Sequence, residues 1–111
     1  MVFVPFGLIE WHGRHLPLGT DALKAHAILV KYAEQFGGVV YTPVYFPFAR
    51  YVQGNEDLHP EENLWKIDMF TALFNSIKGM GTRVIMGVSG HNIFQQIALI
   101  NQALKPVVAD G

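Results

Sequence analysis

The apolar run of residues 2–9 leads straight into Glu10-Trp11-His12-Gly13-Arg14-His15-Leu16-Pro17-Leu18-Gly19-Thr20-Asp21. That junction constrains the chain more than any other stretch. An uncharged run of this kind reads as a buried strand, with Pro5 tolerated at an edge or an irregularity. Ionisable side chains then follow at once. Two carboxylates and an imidazole, Glu10, His12 and Asp21, gathered where a strand ends, are a donor set that suits a divalent cation.

Downstream, strand-like and helix-like patterns alternate. Residues 22–36 carry Leu23, Ala27 and Val30 at helical spacing, and Gly37-Gly38 ends the pattern. Residues 39–46 form a second β-branched and aromatic run, interrupted at Pro43. After a long loop at 47–59, Pro60 with Glu61 and Glu62 marks a helix start. Proline fits a first turn, and acids suit the positive end of the helix dipole. Ile67, Phe70, Phe74 and Ile77 recur along that helix up to Gly79-Met80-Gly81. Residues 83–88 read as a short central parallel strand. A third helix is expected over 93–104, with Ile93, Ile97, Ile100 and Leu104 on one face. Lys105-Pro106 breaks it, and 107–109 reads as the start of another strand. The alternation predicts an α/β fold of βαβ units on a parallel sheet, one domain over residues 1–111. Ligands of such sheets sit beyond the carboxyl ends of the strands. Both chemically loaded segments, 10–21 and 89–92, fall at such ends.

Composition narrows the function classes. A net charge of −1 with no basic cluster leaves no electrostatic case for nucleic acid or an anionic membrane surface. The absence of cysteine excludes a disulfide framework, a cysteine nucleophile and zinc-finger spacing. No apolar run approaches the roughly 20 residues of a membrane span, and no signal-peptide pattern opens the chain. A soluble cytoplasmic protein is therefore expected. With 50% apolar and 15% charged residues, either both sheet faces are covered or some apolar surface meets a partner. No glycine-rich nucleotide loop and no G-x-S-x-G elbow is present.

Each candidate residue has an ordinary alternative. Glu10 alone reads equally well as a solvated loop acid, and Asp21 as a helix-opening residue. His12 and His15 could be hydrogen-bonded loop residues, His26 reads as structural and His59 as a helix-entry residue. Trp11 and Trp65 could line a pocket, but packing anchors are the commoner role for tryptophan. Arg50 and Tyr51 sit in the long loop, where substrate contacts are plausible. The metal reading rests on convergence: Glu10 and His12 at i and i+2, Asp21 opening a helix, and His91 arriving from another strand end.

The residues from Pro5-Phe6-Gly7-Leu8-Ile9-Glu10 through Asp21 closely resemble the N-terminal signature of the creatininase family, creatinine amidohydrolases and their relatives. That signature runs roughly P-x-G-S-x-E-Q-H-G-x-H-L-P-L-x-T-D. Residues 76–91 resemble, more weakly, the family's helix-Gly-strand-N-G-H stretch, with Gly81 and Gly90-His91 in register. The resemblance covers nearly all of this chain and about the N-terminal half of a family member. It implies a creatininase-like α/β/α layered fold with a mostly parallel sheet, truncated relative to the family. It also implies a two-metal site, zinc or manganese, with Glu10 and His91 on one ion, His12 on the other and Asp21 between them. Relatives hydrolyse cyclic amides or formamides, some act on peptides, and members are typically homo-oligomers.

Departures from the pattern bear on activity. Ser89 replaces the usual asparagine before Gly-His, and Asn92-Ile93-Phe94 stands where relatives carry Gly-Gly-Asn or a ligand glutamate. Ala49 takes the place of a histidine before a Phe-Pro-Gly turn, although Gly54 is kept. The family's later His-Ala-Gly and Glu-Thr segment lies beyond Gly111, so no catalytic residue is assigned. Two readings follow. One is a metal-dependent hydrolase of a non-peptide C–N amide bond in a small molecule. The other is a non-catalytic or degenerate module that oligomerises through its sheet edge and apolar faces. A metal-free flavodoxin-like binding domain is a third, disfavoured by the missing phosphate loop.

Overall fold

β1 (Val2–Leu8) is the strand on which all the other described strands pair, and every residue in it is buried. The computed structural model of the chain describes residues 1–46, 60–92 and 94–109. These divide between two compact units, one drawing on Met1–Arg50 and Arg83–Asn92, the other on Tyr51–Thr82 and Ile93–Gly111. The expected loop at 47–59, with Ala49, Arg50, Tyr51, Gly54 and His59, lies outside the described residues, as does Ile93.

In the first unit all strand pairings among the described residues are parallel. β2 (Val39–Val40) and β3 (Val44–Phe46) follow one another along one side of β1, and β4 (Ile85–Ser89) runs along the other. The central strand is thus β1. The 83–88 run, expected to be central, supplies β4, whose only strand partner among the described residues is β1. The difference has a physical reason in Pro5. Main-chain groups alternate sides along β1: Val2 donates to Val84 O and Phe6 accepts from Gly90, whereas Phe3 accepts from Tyr41. Pro5 therefore faces the β2/β3 side, at the gap between Val40 and Val44 where no ladder bond is needed. An irregularity in the neighbouring strand, broken at Pro43, lets a proline sit in a central strand.

α1 (Thr20–Phe36) packs on this sheet through Asp21, Ala22, Ala25 and Leu29. The expected face was Leu23, Ala27 and Val30. Leu23 and Ala27 are instead exposed, and Val30 is half-buried. Close approach decides the matter. A Cβ at Gly7 would overlap the backbone of Asp21 and Ala22, so the helix start lies directly on the strand. Only small residues fit that contact, and larger apolar side chains are turned outward. Tyr32 still reaches back to Phe3, edge to face at 5.6 Å.

The second unit pairs α2 (Pro60–Gly79) with α3 (Phe94–Ala109). Phe70, Phe74 and Ile77 of α2 are fully buried, as their spacing predicts. α3 corrects the sequence reading twice. Its buried stripe is Gln96, Leu99, Ile100, Ala103 and Val107, while Ile97 is exposed and Leu104 half-buried. The helix also runs through Pro106, so 107–109 is helix and not strand. Proline removes one hydrogen bond to the preceding turn. Burial of Val107 outweighs that loss, and its carbonyl accepts from Lys78 Nζ at 2.8 Å. Thr71 Oγ1 donates across the pair to Ala103 O at 3.3 Å, where a small residue lets the helices approach. Among the described residues no helix is long and apolar enough to cross a membrane.

Candidate metal centre

The segment between β1 and α1 closes on itself. Glu10 N–H donates to Leu18 O at 3.0 Å, and Thr20 N–H to Pro17 O at 3.1 Å. Gly13, at φ 86°, supplies a left-handed residue within the excursion. The chain is thereby returned to the end of β1, with Asp21 in the first turn of α1 beside Glu10. On the neighbouring strand end, Gly90 N–H donates to Phe6 O at 2.9 Å. A Cβ there would collide with the Asp21 main chain. Two glycines, Gly7 on β1 and Gly90 just past the end of β4, thus clear the space in which α1 begins.

All four side chains singled out in the sequence come together at this point. His12 Nε2 lies 3.1 Å from Asp21 Oδ1 and 3.5 Å from Glu10 Oε1. His91 Nδ1 lies 2.9 Å from Glu10 Oε1 and 3.0 Å from Asp21 Oδ2. One ligand atom each of Glu10, His12 and Asp21 fall within 4.8 Å of one another. The Asp21 side chain is only 6% exposed, against 20% for each histidine and 26% for Glu10. Asp21 opens the helix, as its position suggested, but makes no side-chain cap hydrogen bond. Its two oxygens face two imidazoles instead.

The donor chemistry fits a cation. His12 Nδ1 faces the Glu10 main-chain oxygen at 3.0 Å. A carbonyl only accepts, so Nδ1 carries the hydrogen and Nε2 is left as the lone-pair nitrogen. That nitrogen then confronts carboxylate oxygens, which also only accept. Something positive must lie between them, a proton or a metal ion. The same crowding acts on the pKa. The Glu10 carbonyl raises the His12 value above its ordinary range most strongly, partial burial opposes this, and the Asp21 and Glu10 carboxylates add to the rise. Two hard oxygen donors and two imidazoles, half-sheltered from water, suit a divalent cation.

Other candidates fall elsewhere. His15 is exposed, and His26 lies half-buried in mid-α1. Trp11 is 71% exposed and Trp65 48%, so neither anchors a core. Lys24 Nζ, 3.9 Å from Asp21 Oδ1, was missed. The signal was available: it is the i+3 neighbour of Asp21 on a helix.

Acid and imidazole groups converge here beyond the carboxyl ends of two adjacent parallel strands, where sheets of this kind collect their ligands. The family model for creatininase, described as creatinine amidohydrolase, matches residues 1–111, and the chain belongs to this metal-dependent family. No curated protein and no solved structure gives a significant match.

Proposed function

We propose that Glu10, His12, Asp21 and His91 hold one or two divalent cations, zinc or manganese, and that the chain hydrolyses a small-molecule amide at a non-peptide C–N bond, in a cyclic amide or a formamide. The observation that carries this reading is the His12 ring, tied at Nδ1 and presenting Nε2 to two acceptor oxygens. When bound, the cation supplies Lewis acidity toward an amide carbonyl and makes water acidic enough to attack near neutral pH. Glu10 and Asp21 contribute the negative charge that balances such an ion. Asp21, with one oxygen toward each histidine, is the residue able to serve two centres. The Glu10 carbonyl fixes the His12 tautomer.

A second reading draws on the edge of the sheet. β4 has no strand on its outer side among the described residues, and Val84 and Met86 are 46% and 39% exposed. An open apolar edge favours association, so a homo-oligomer is proposed under either reading. The alternative to the enzyme is a metal-binding module that associates without turnover.

Metal analysis of protein purified without chelator tests the first step, with about one to two ions per chain expected by analogy with two-metal hydrolases. A panel of cyclic amides and formamides tests the second, with turnover that a chelator abolishes. Protein that carries no metal, and gains no thermal stability on titration, contradicts the enzyme. Metal without turnover of any such amide supports the module. Sedimentation then reports the oligomer.

A further inference from the structure

We infer that Ser89 is a positioning residue of this centre: its hydroxyl sets the turn that delivers His91 to the two carboxylates. The inference rests on the metal reading above and adds a residue to it. Ser89 ends β4, two positions before His91. Its Oγ donates to the His91 carbonyl at 2.6 Å and accepts from the His91 N–H at 3.2 Å. Both polar groups of the His91 main chain therefore end on one side-chain oxygen. Between the two residues, Gly90 is pinned to Phe6 of β1 and pressed against the Asp21 backbone. Those contacts hold the strand end through residue 90 and do not involve the side chain at 89. Among the described residues, the hydroxyl restrains the peptide of His91, and with it the ring whose Nδ1 sits 2.9 Å from Glu10 and 3.0 Å from Asp21. The family signature carries asparagine at this position, a longer side chain with a separate donor and acceptor. Serine reaches both main-chain groups because one hydroxyl both donates and accepts.

The test compares Ser89→Ala with Ser89→Thr, which keeps the hydroxyl and suits a strand end. Zinc is titrated into metal-free wild type and both variants, and cobalt absorption reports the ligand field. The expected result is a 10–100-fold weaker zinc affinity for Ser89→Ala, the range typical of lost outer-sphere partners. Its cobalt spectrum should be altered, its metal-free thermal midpoint should stay close to wild type, and Ser89→Thr should bind like wild type. Ser89→Ala binding zinc as tightly as wild type overturns the inference while leaving the metal reading intact. Equal weakening in both variants, with a lowered metal-free midpoint in each, overturns it too, since the hydroxyl is then not the cause. Wild type that binds no zinc overturns the underlying metal reading itself.

Discussion

The α2–α3 pair buries Phe70, Phe74, Ile77, Leu99 and Val107, and Thr71 and Lys78 each donate across it to a main-chain carbonyl. The β1-centred unit buries phenylalanine and valine too, but it also buries Asp21, facing two imidazoles. The first arrangement is dominated by apolar burial, which is non-directional and asks for no ligand. The second sets carboxylate oxygens against the His12 Nε2, a contact that needs a proton or a cation between them, and a buried unbalanced charge is costly. One unit should therefore be indifferent to metal and the other should depend on it.

The largest effect expected is from Asp21→Ala, which removes the oxygens shared by His12 and His91. Metal content by atomic absorption should fall to background, while amide exchange in α2 and α3 stays as in wild type. Retained metal would break the contrast. Phe74→Ala empties a fully buried site in the helix pair and should cost about 3–5 kcal/mol in denaturant unfolding. The metal stoichiometry of the folded protein should not change. Chelation comes next: stripping a metal held at 100 times its Kd should remove about 2.7 kcal/mol of apparent stability in thermal unfolding. Lost exchange protection should centre on residues 10–21 and 89–91.

Smaller changes sharpen the picture. Pro106→Ala restores a hydrogen-bond donor in the last turn of α3 and should stabilise by roughly 1 kcal/mol, read from the denaturant midpoint. In metal-free protein the raised His12 pKa gives a contribution that is full below the unfolded-state value and lost as pH rises through the folded one. Metal affinity should move the opposite way, rising over that window, because the ion requires the neutral ring. Zinc titrations at several pH values check this, and a flat profile would contradict it.

The site was more legible in the sequence than the packing around it. Glu10 and His12 lie in the loop that leads to Asp21 in the first turn of α1, so their proximity follows from local chain closure. His91 could be placed because ligand sites in parallel sheets collect at strand ends. The existence of three helices was equally clear from spacing. Their buried faces were not. α1 is apolar on more than one side, and the choice of Ala22 and Ala25 over Leu23 and Ala27 was made by Gly7, on a different element. In α3, too, apolar residues outnumber the positions that can be buried, and Ala103 wins a place through close helix approach, not hydrophobicity. The end of α3 was misread because proline usually stops a helix, and nothing local reveals that Val107 has a core to enter. The centrality of β1 likewise depends on a gap between β2 and β3 that Pro5 cannot report.

Anomalous X-ray diffraction at the zinc edge, on crystals grown with zinc, tests the central claim most directly. The account predicts a peak among Glu10, His12, Asp21 and His91, at zinc–ligand distances of about 2.0–2.2 Å from His12 Nε2 and an Asp21 oxygen. A zinc-soaked crystal with no peak there, and the His12 ring still hydrogen-bonded directly to Asp21, would contradict it.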